Sequence, residues 1–170
     1  MEDAEVKIND FKDIGNMEKN YFHIEGMIEL SDFFNALPIL QEEGILLILG
    51  IIDSEVIKKL EKFKVLGVKF PNTGRSITFG IFKVLKEKNL AIKFNNESRS
   101  ILYELSKEIT PDIEICSYVY YLNNEKDEIL EYAVGRDIFI SRKIIKNDNI
   151  VRLFCKKIGI NRYCLEEFVD

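Results

Sequence analysis

The feature that most constrains the fold of this chain is an unbroken apolar run at Ile45–Ile52, with the sequence ILLILGII. A strand with one wet face alternates apolar and polar residues, whereas this run is apolar on both faces, as in a strand that is covered on both sides. The run is far shorter than the roughly 20 apolar residues that an α-helix needs to cross a bilayer. It therefore predicts an interior strand of a sheet and not a membrane-spanning segment.

Helical patterns on both sides of this run predict an alternation of strands and helices. A strand is predicted at Tyr21–Ile28, and a helix is predicted at Ser31–Glu43. Ser31 is the expected cap of this helix, and Pro38 should kink or split it. Asp53 or Ser54 has the residue type that caps the start of a second helix. The first half of the chain thus gives strand, helix, strand, helix, the order of an α/β layer.

The second half is rich in strand patterns separated by turn formers, and it predicts a hairpin, a helix, a three-strand meander and two closing helices. We therefore expect an α/β or α+β fold: one domain over residues 21–170, with one mixed sheet of about six strands and helices mostly on one face. Residues 1–20 form an acidic arm in this interpretation. The predicted segments are Ile77–Leu85, Leu90–Phe94, Glu97–Ile109, Ile113–Leu122, Glu128–Val134, Asp137–Lys143, Asn147–Ile158 and Asn161–Val169.

The charge of the chain favours a basic protein partner. Its net charge is −5, and residues 1–32 contain nine acidic residues against three lysines. Proteins that bind nucleic acid without sequence preference are usually basic, because they must neutralise phosphates. The charge therefore argues against a nucleic-acid partner and for a basic protein.

The histidine and cysteine content argues against catalysis and metal binding. The chain has one histidine and three cysteines, and the cysteines lack the spacing of a zinc site or a disulfide framework. Cys116 and Cys155 lie among apolar residues and are predicted to be buried. No basic segment leads an apolar run, so a signal peptide is not expected. We expect a cytoplasmic protein with no cofactor, no metal and no catalytic residue.

An enzyme or small-ligand protein is the first alternative. His23 is the sole histidine and shares its strand face with Glu25, so an imidazole–carboxylate pair is geometrically possible. The loop Thr73–Ser76 offers a guanidinium and hydroxyls to an anion, but it lacks P-loop spacing and a strand is predicted after it. We expect His23 to be structural and this segment to be an ordinary loop.

A DNA-binding regulator is the second alternative. Residues 148–169 resemble a helix-turn-helix, with Cys155, Gly159 and an Asn161 cap at suitable spacing. The second helix would have to enter a major groove, yet it carries Glu166 and Glu167, which phosphates would repel. A helical hairpin packed on the sheet is the preferred interpretation.

The meander provides the candidate binding residues. Alternation along Ile113–Leu122 places Glu114, Tyr118 and Tyr120 on the face opposite Val119, and Glu131 of the next strand can join them. If Val119 meets the helices, these tyrosines and acids face outward and suit a basic partner. The alternative is a sheet covered on both sides, with the tyrosines partly buried.

These observations favour a non-enzymatic binding protein. Small size, acidic charge and the lack of a catalytic set make a bacterial immunity or antitoxin protein the specific expectation. Such a protein would neutralise a basic, nuclease-like toxin. The composition, rich in Lys, Ile and Asn, is similar in style to that of immunity proteins.

Overall fold

The computed structural model describes residues 20–26, 28–51, 53–71, 88–108 and 116–160. Within these ranges the chain forms six strands, four α-helices and a short 3₁₀ turn at Glu61–Phe63. The strands are β1 (Tyr21–Glu25), β2 (Gly44–Ile51), β3 (Lys88–Phe94), β4 (Tyr118–Leu122), β5 (Glu128–Ala133) and β6 (Asp137–Ser141). The helices are α1 (Leu30–Leu40), α2 (Ser54–Leu60), α3 (Asn96–Glu108) and α4 (Asp148–Lys157).

The six strands form one sheet in the order β1-β6-β5-β4-β2-β3. The expected fold class, a single six-stranded sheet with helices packed on it, is confirmed. The sheet is not mixed, because every strand pair in the described part of the chain is antiparallel. Four successive antiparallel pairings separate β1 from β2, so these two strands run in the same direction, as a βαβ crossover requires. The meander β4–β6 lies between them, and no parallel neighbours result.

Strand β2 is an interior strand, as its apolar run predicts. It pairs with β3 on one side and β4 on the other, and all of its residues are buried. Leu46 and Ile48 face the helices, whereas Leu47 and Leu49 face the opposite side and pack in a second cluster. Both faces of the strand are thus covered by other residues, which explains why apolar side chains point to both sides.

All four α-helices pack on one face of the sheet, which we call the inner face. Phe33 of α1 is fully buried and its ring lies 4.5 Å from that of Tyr132 on β5. Phe154 of α4 packs edge-on against the same Phe33 ring at 6.5 Å. Tyr121 of β4 reaches the end of α1, where its hydroxyl donates to the carbonyl of Gln41 at 2.6 Å.

Two helix starts follow from the sequence, and two predictions for α1 are wrong. Asp53 caps α2 by accepting from the backbone N–H of Glu55 at 2.9 Å, and Asn147 caps α4 in the same way. Helix α1 starts at Leu30 without a side-chain cap, so Ser31 is not its cap. Pro38 does not split α1, because it lies in the last turn, where little helix remains to be disrupted.

Within the described residues, the opposite, outer face is covered over one half. Val65, Val68 and Phe70 pack on the outer residues of β2, β3 and β4. The Val65 N–H donates to the carbonyl of Ala91 on β3 at 2.8 Å, which fixes this segment to the sheet. The other half, on β5, β6 and β1, carries half-buried and exposed polar side chains.

Several predicted segments fall outside the described residues. They include the acidic arm before Asn20, the loop Thr73–Ser76, the strand Ile77–Leu85, Glu114 and the last helix Asn161–Val169. Among the helices that the structure does describe, none has the length and apolar character needed to cross a membrane.

Candidate binding face

A line of cross-strand neighbours crosses the outer face. His23 on β1 lies opposite Phe139 on β6, Phe139 lies opposite Glu131 on β5, and Glu131 lies opposite Tyr120 on β4. Directly opposed residues of antiparallel strands share a face, with Cβ atoms about 4.5–5.5 Å apart. Side chains from four strands are thus aligned in one row, which runs from the covered half of the outer face to its polar half.

Glu131, which belongs to this row, and Glu128 of the same strand lie close together in a poorly solvated environment. The Tyr120 hydroxyl donates to Glu131 Oε1 at 3.1 Å. Burial, with a further contribution from the charge of Glu131, raises the pKa of Glu128 to about 7. Burial and the same two carboxylates raise the pKa of Tyr21 on β1. Two acids that share a desolvated site oppose each other's ionisation, and a cation placed beside them would relieve that repulsion.

His23 forms a second cluster with two carboxylates at the edge of the sheet. Its Nε2 lies 2.9 Å from Asp137 Oδ1 and 3.7 Å from Glu25 Oε1. The imidazole stacks on Phe139 with ring centroids 4.6 Å apart and planes within 6° of parallel. The stacked ring and the two carboxylates hold the imidazole in one orientation, although its side chain is still 30% exposed.

We call the polar half of the outer face, on β5, β6 and β1, the acidic face. Three adjacent strands contribute carboxylates, aromatic rings and one imidazole to this face. The backbones of these strands are hydrogen-bonded to one another. Its members are Tyr21, His23, Glu25, Glu128, Glu131, Asp137 and Phe139.

The structure places the residues predicted from the sequence in two different environments. Tyr118, Tyr120 and Glu131 share the outer face, while Val119 faces the helices, as alternation predicts. The two tyrosines are only 7% and 6% exposed, because Val65, Val68 and Phe70 pack against their cluster. For these rings the alternative of a sheet covered on both sides is the accurate description. Of the candidate binding residues that the structure describes, only Glu131 lies on the acidic face. The fourth candidate, Glu114, lies outside the described residues.

Sequence reasoning missed most of the acidic face. The sequence patterns do not single out Glu128, Asp137 or Phe139, and they identify Glu25 only as a partner of His23. The alternation of Asp137–Ser141 does place Asp137 and Phe139 on one face, so that part could have been found. The pairing of β1 with β6 could not, because these strands are far apart in sequence and no local pattern specifies their contact.

The acidic face can attract cations and can hold an imidazole in a fixed orientation. A carboxylate beside a histidine is also the arrangement that orients a general base, although such a base needs a substrate proton within reach. The acids outnumber the single imidazole, so binding of positive charge is the chemistry that the face supports best. In comparisons with protein-family models, curated proteins and solved structures, nothing matches this chain.

Proposed function

We propose that this protein is a non-enzymatic binding module whose acidic face contacts a basic protein. The observation that supports this proposal is the convergence of four carboxylates with aromatic rings on one face of the sheet. The carboxylates belong to Glu25, Glu128, Glu131 and Asp137, and they come from β1, β5 and β6.

The chemistry of this face matches arginine in particular. A guanidinium can bind a carboxylate with two parallel hydrogen bonds and can stack on an aromatic ring. Glu128 gains most from such a contact, because an adjacent positive charge offsets the burial that raises its pKa to about 7. The side chains stand on paired strands, so less conformational entropy is lost on binding than on a loop.

A toxin that acts on nucleic acid is a suitable basic partner. Proteins that bind the phosphate backbone carry clustered lysine and arginine, and an acidic protein of net charge −5 can cover such a surface. The specific form of the proposal is therefore an immunity or antitoxin protein that neutralises a basic nuclease-like toxin.

Association kinetics with charge-reversed variants test the proposal. The partner used is a basic protein that is captured with the chain during purification. Reversal at Glu25 and Glu131 to lysine should slow association about tenfold or more at low salt, because complementary charge speeds encounter. Raising the salt concentration should shrink this difference, because exposed charges are then screened.

The matched control for each single reversal is Glu104→Lys, an equal charge change at an exposed position of α3 on the helix side. It should leave the association rate within about twofold of the wild type, because it is remote from the acidic face. Binding that survives both reversals and does not depend on salt would contradict the proposal.

The close contact between His23 and Asp137 is the observation that favours the enzymatic alternative, since a carboxylate at 2.9 Å can orient an imidazole. A turnover activity that His23→Ala abolishes, in a protein without a partner, would replace the binding proposal with this one. The DNA-binding alternative depends on a second helix after residue 160, outside the described residues.

A further inference from the structure

We propose that His23, Glu25 and Asp137 form a binding site for a divalent transition-metal ion of the zinc type. This inference does not rest on the proposed function, because it concerns the affinity of the isolated chain for a metal ion. The three side chains have candidate ligand atoms that all lie within 4.8 Å of one another.

The distances between these atoms suit a tetrahedral ion. Zinc binds imidazole nitrogen and carboxylate oxygen at about 2.0–2.2 Å, so neighbouring ligand atoms in a tetrahedral site are about 3.3–3.6 Å apart. His23 Nε2 lies 2.9 Å from Asp137 Oδ1 and 3.7 Å from Glu25 Oε1, which brackets that range. Movement of the two carboxylates, of which Glu25 is 70% exposed, would therefore admit the ion, with Nε2 as the deprotonated nitrogen.

The paired strands place all three ligand side chains on one face. His23 and Glu25 are two residues apart on β1 and therefore share a face. Asp137 is the register partner of Glu25 on β6, so the triad spans one cross-strand pair. The stacked Phe139 ring holds the imidazole against rotation. The imidazole therefore has little conformational freedom to lose when the ion binds.

The ligand chemistry selects the class of ion. One imidazole favours zinc and its neighbours in the first transition row over calcium or magnesium, which prefer sites made of oxygen alone. Two carboxylates balance the charge of a divalent ion. Three protein ligands also leave a fourth coordination position for water or an incoming group, as in zinc sites that are not purely structural.

The sole histidine makes the experiment unambiguous. Because the chain has one histidine, the imidazole NMR signals of tag-free protein belong to His23 alone. Titration with Zn²⁺ should move these signals to saturation at one equivalent, and calorimetry should give the same stoichiometry. Zinc bound only at a cysteine, such as Cys164, would leave the imidazole signals in place and would overturn the assignment.

Two conservative variants test the remaining ligands. Glu25→Gln changes a side chain that is 70% exposed, so folding should be unaffected, and Asp137→Asn keeps a similar shape. Each should weaken zinc affinity at least tenfold, since loss of a second-shell partner alone costs about 10–100-fold. Glu104→Gln on α3 is the control and should bind as wild type. Wild-type affinity in both triad variants would contradict the site.

Discussion

Glu128 is a carboxylic acid whose pKa the fold raises into the neutral range. It is a half-buried acid on β5, and burial together with Glu131 raises its pKa from 4.5 to about 7. An acid with a raised pKa favours the folded state when it is protonated. Its stabilising contribution is therefore complete below pH 4.5, its unfolded value, and is lost as pH rises through about 7.

Glu128→Gln should therefore stabilise the protein in a pH-dependent way. We expect a gain of roughly 1–2 kcal/mol at about pH 8, after allowing for solvent screening of a half-buried group, and a much smaller gain at about pH 5. Denaturant unfolding of both proteins at the two pH values measures the difference. An equal effect at both would show that Glu128 titrates normally.

Gly44 occupies a position at which any side chain would collide with the next strand. A Cβ there would lie 2.3 Å from the carbonyl oxygen of Leu122 and 2.8 Å from the ring of Tyr121. Gly44→Ala should cost about 3 kcal/mol, because backbone must move to admit the methyl group. Gly67→Ala is the comparison: it has a positive φ of 73° but nothing within 4 Å, so only the left-handed backbone penalty of roughly 1 kcal/mol applies. Chemical denaturation of the two variants should rank them in this order.

Strand β2 separates two clusters of unequal depth. Ile48 is fully buried beneath the helices, whereas Leu47 is 2% exposed beneath the segment that contains Val65 and Phe70. The helix layer is held on several sides and collapses poorly into a cavity, while a single covering segment can settle.

Truncation at these two positions should reveal that difference. We expect Ile48→Ala to cost about 3–5 kcal/mol and Leu47→Ala about 2–3 kcal/mol, both within the range for buried aliphatic residues. Leu153→Ala, on a side chain that is 57% exposed, should change the free energy of unfolding by no more than about 0.5 kcal/mol. Losses below about 1 kcal/mol at both β2 positions would contradict its interior placement.

The helices and strands that can be predicted from the sequence are those whose signal lies in neighbouring residues. The apolar run predicts β2, and Asp53 and Asn147 mark the starts of α2 and α4, because period and capping are properties of neighbouring residues. The insertion of β4–β6 between β1 and β2 is a property of long-range pairing. The same limit applies to the acidic face, because the contact of His23 with Asp137 exists only once β1 meets β6.

The part of the molecule that the structure describes is asymmetric about its sheet. There, helices cover the inner face, while the segment around Val65 and Phe70 covers the outer face over β2, β3 and β4. Polar side chains collect on the remaining half, where they keep part of their exposure to solvent. Both proposals, for a basic partner and for a metal ion, concern this half, whereas the inner core serves stability.

The inner core should open as one cooperative unit, and its two thiols can report on that. Cys116, just before β4, is 2% exposed and Cys155 of α4 is 3% exposed, so the predicted burial of both is confirmed and both belong to one core cluster. In a Cys164→Ser background, alkylation of either thiol should require global unfolding, as expected for a small two-state domain. Pulse alkylation across a denaturant series, read by peptide mass spectrometry, should give the same opening free energy and the same denaturant dependence at both sites. Faster labelling of Cys155 with a shallow denaturant dependence would instead mean that α4 detaches on its own, and the core would then consist of two separately opening parts.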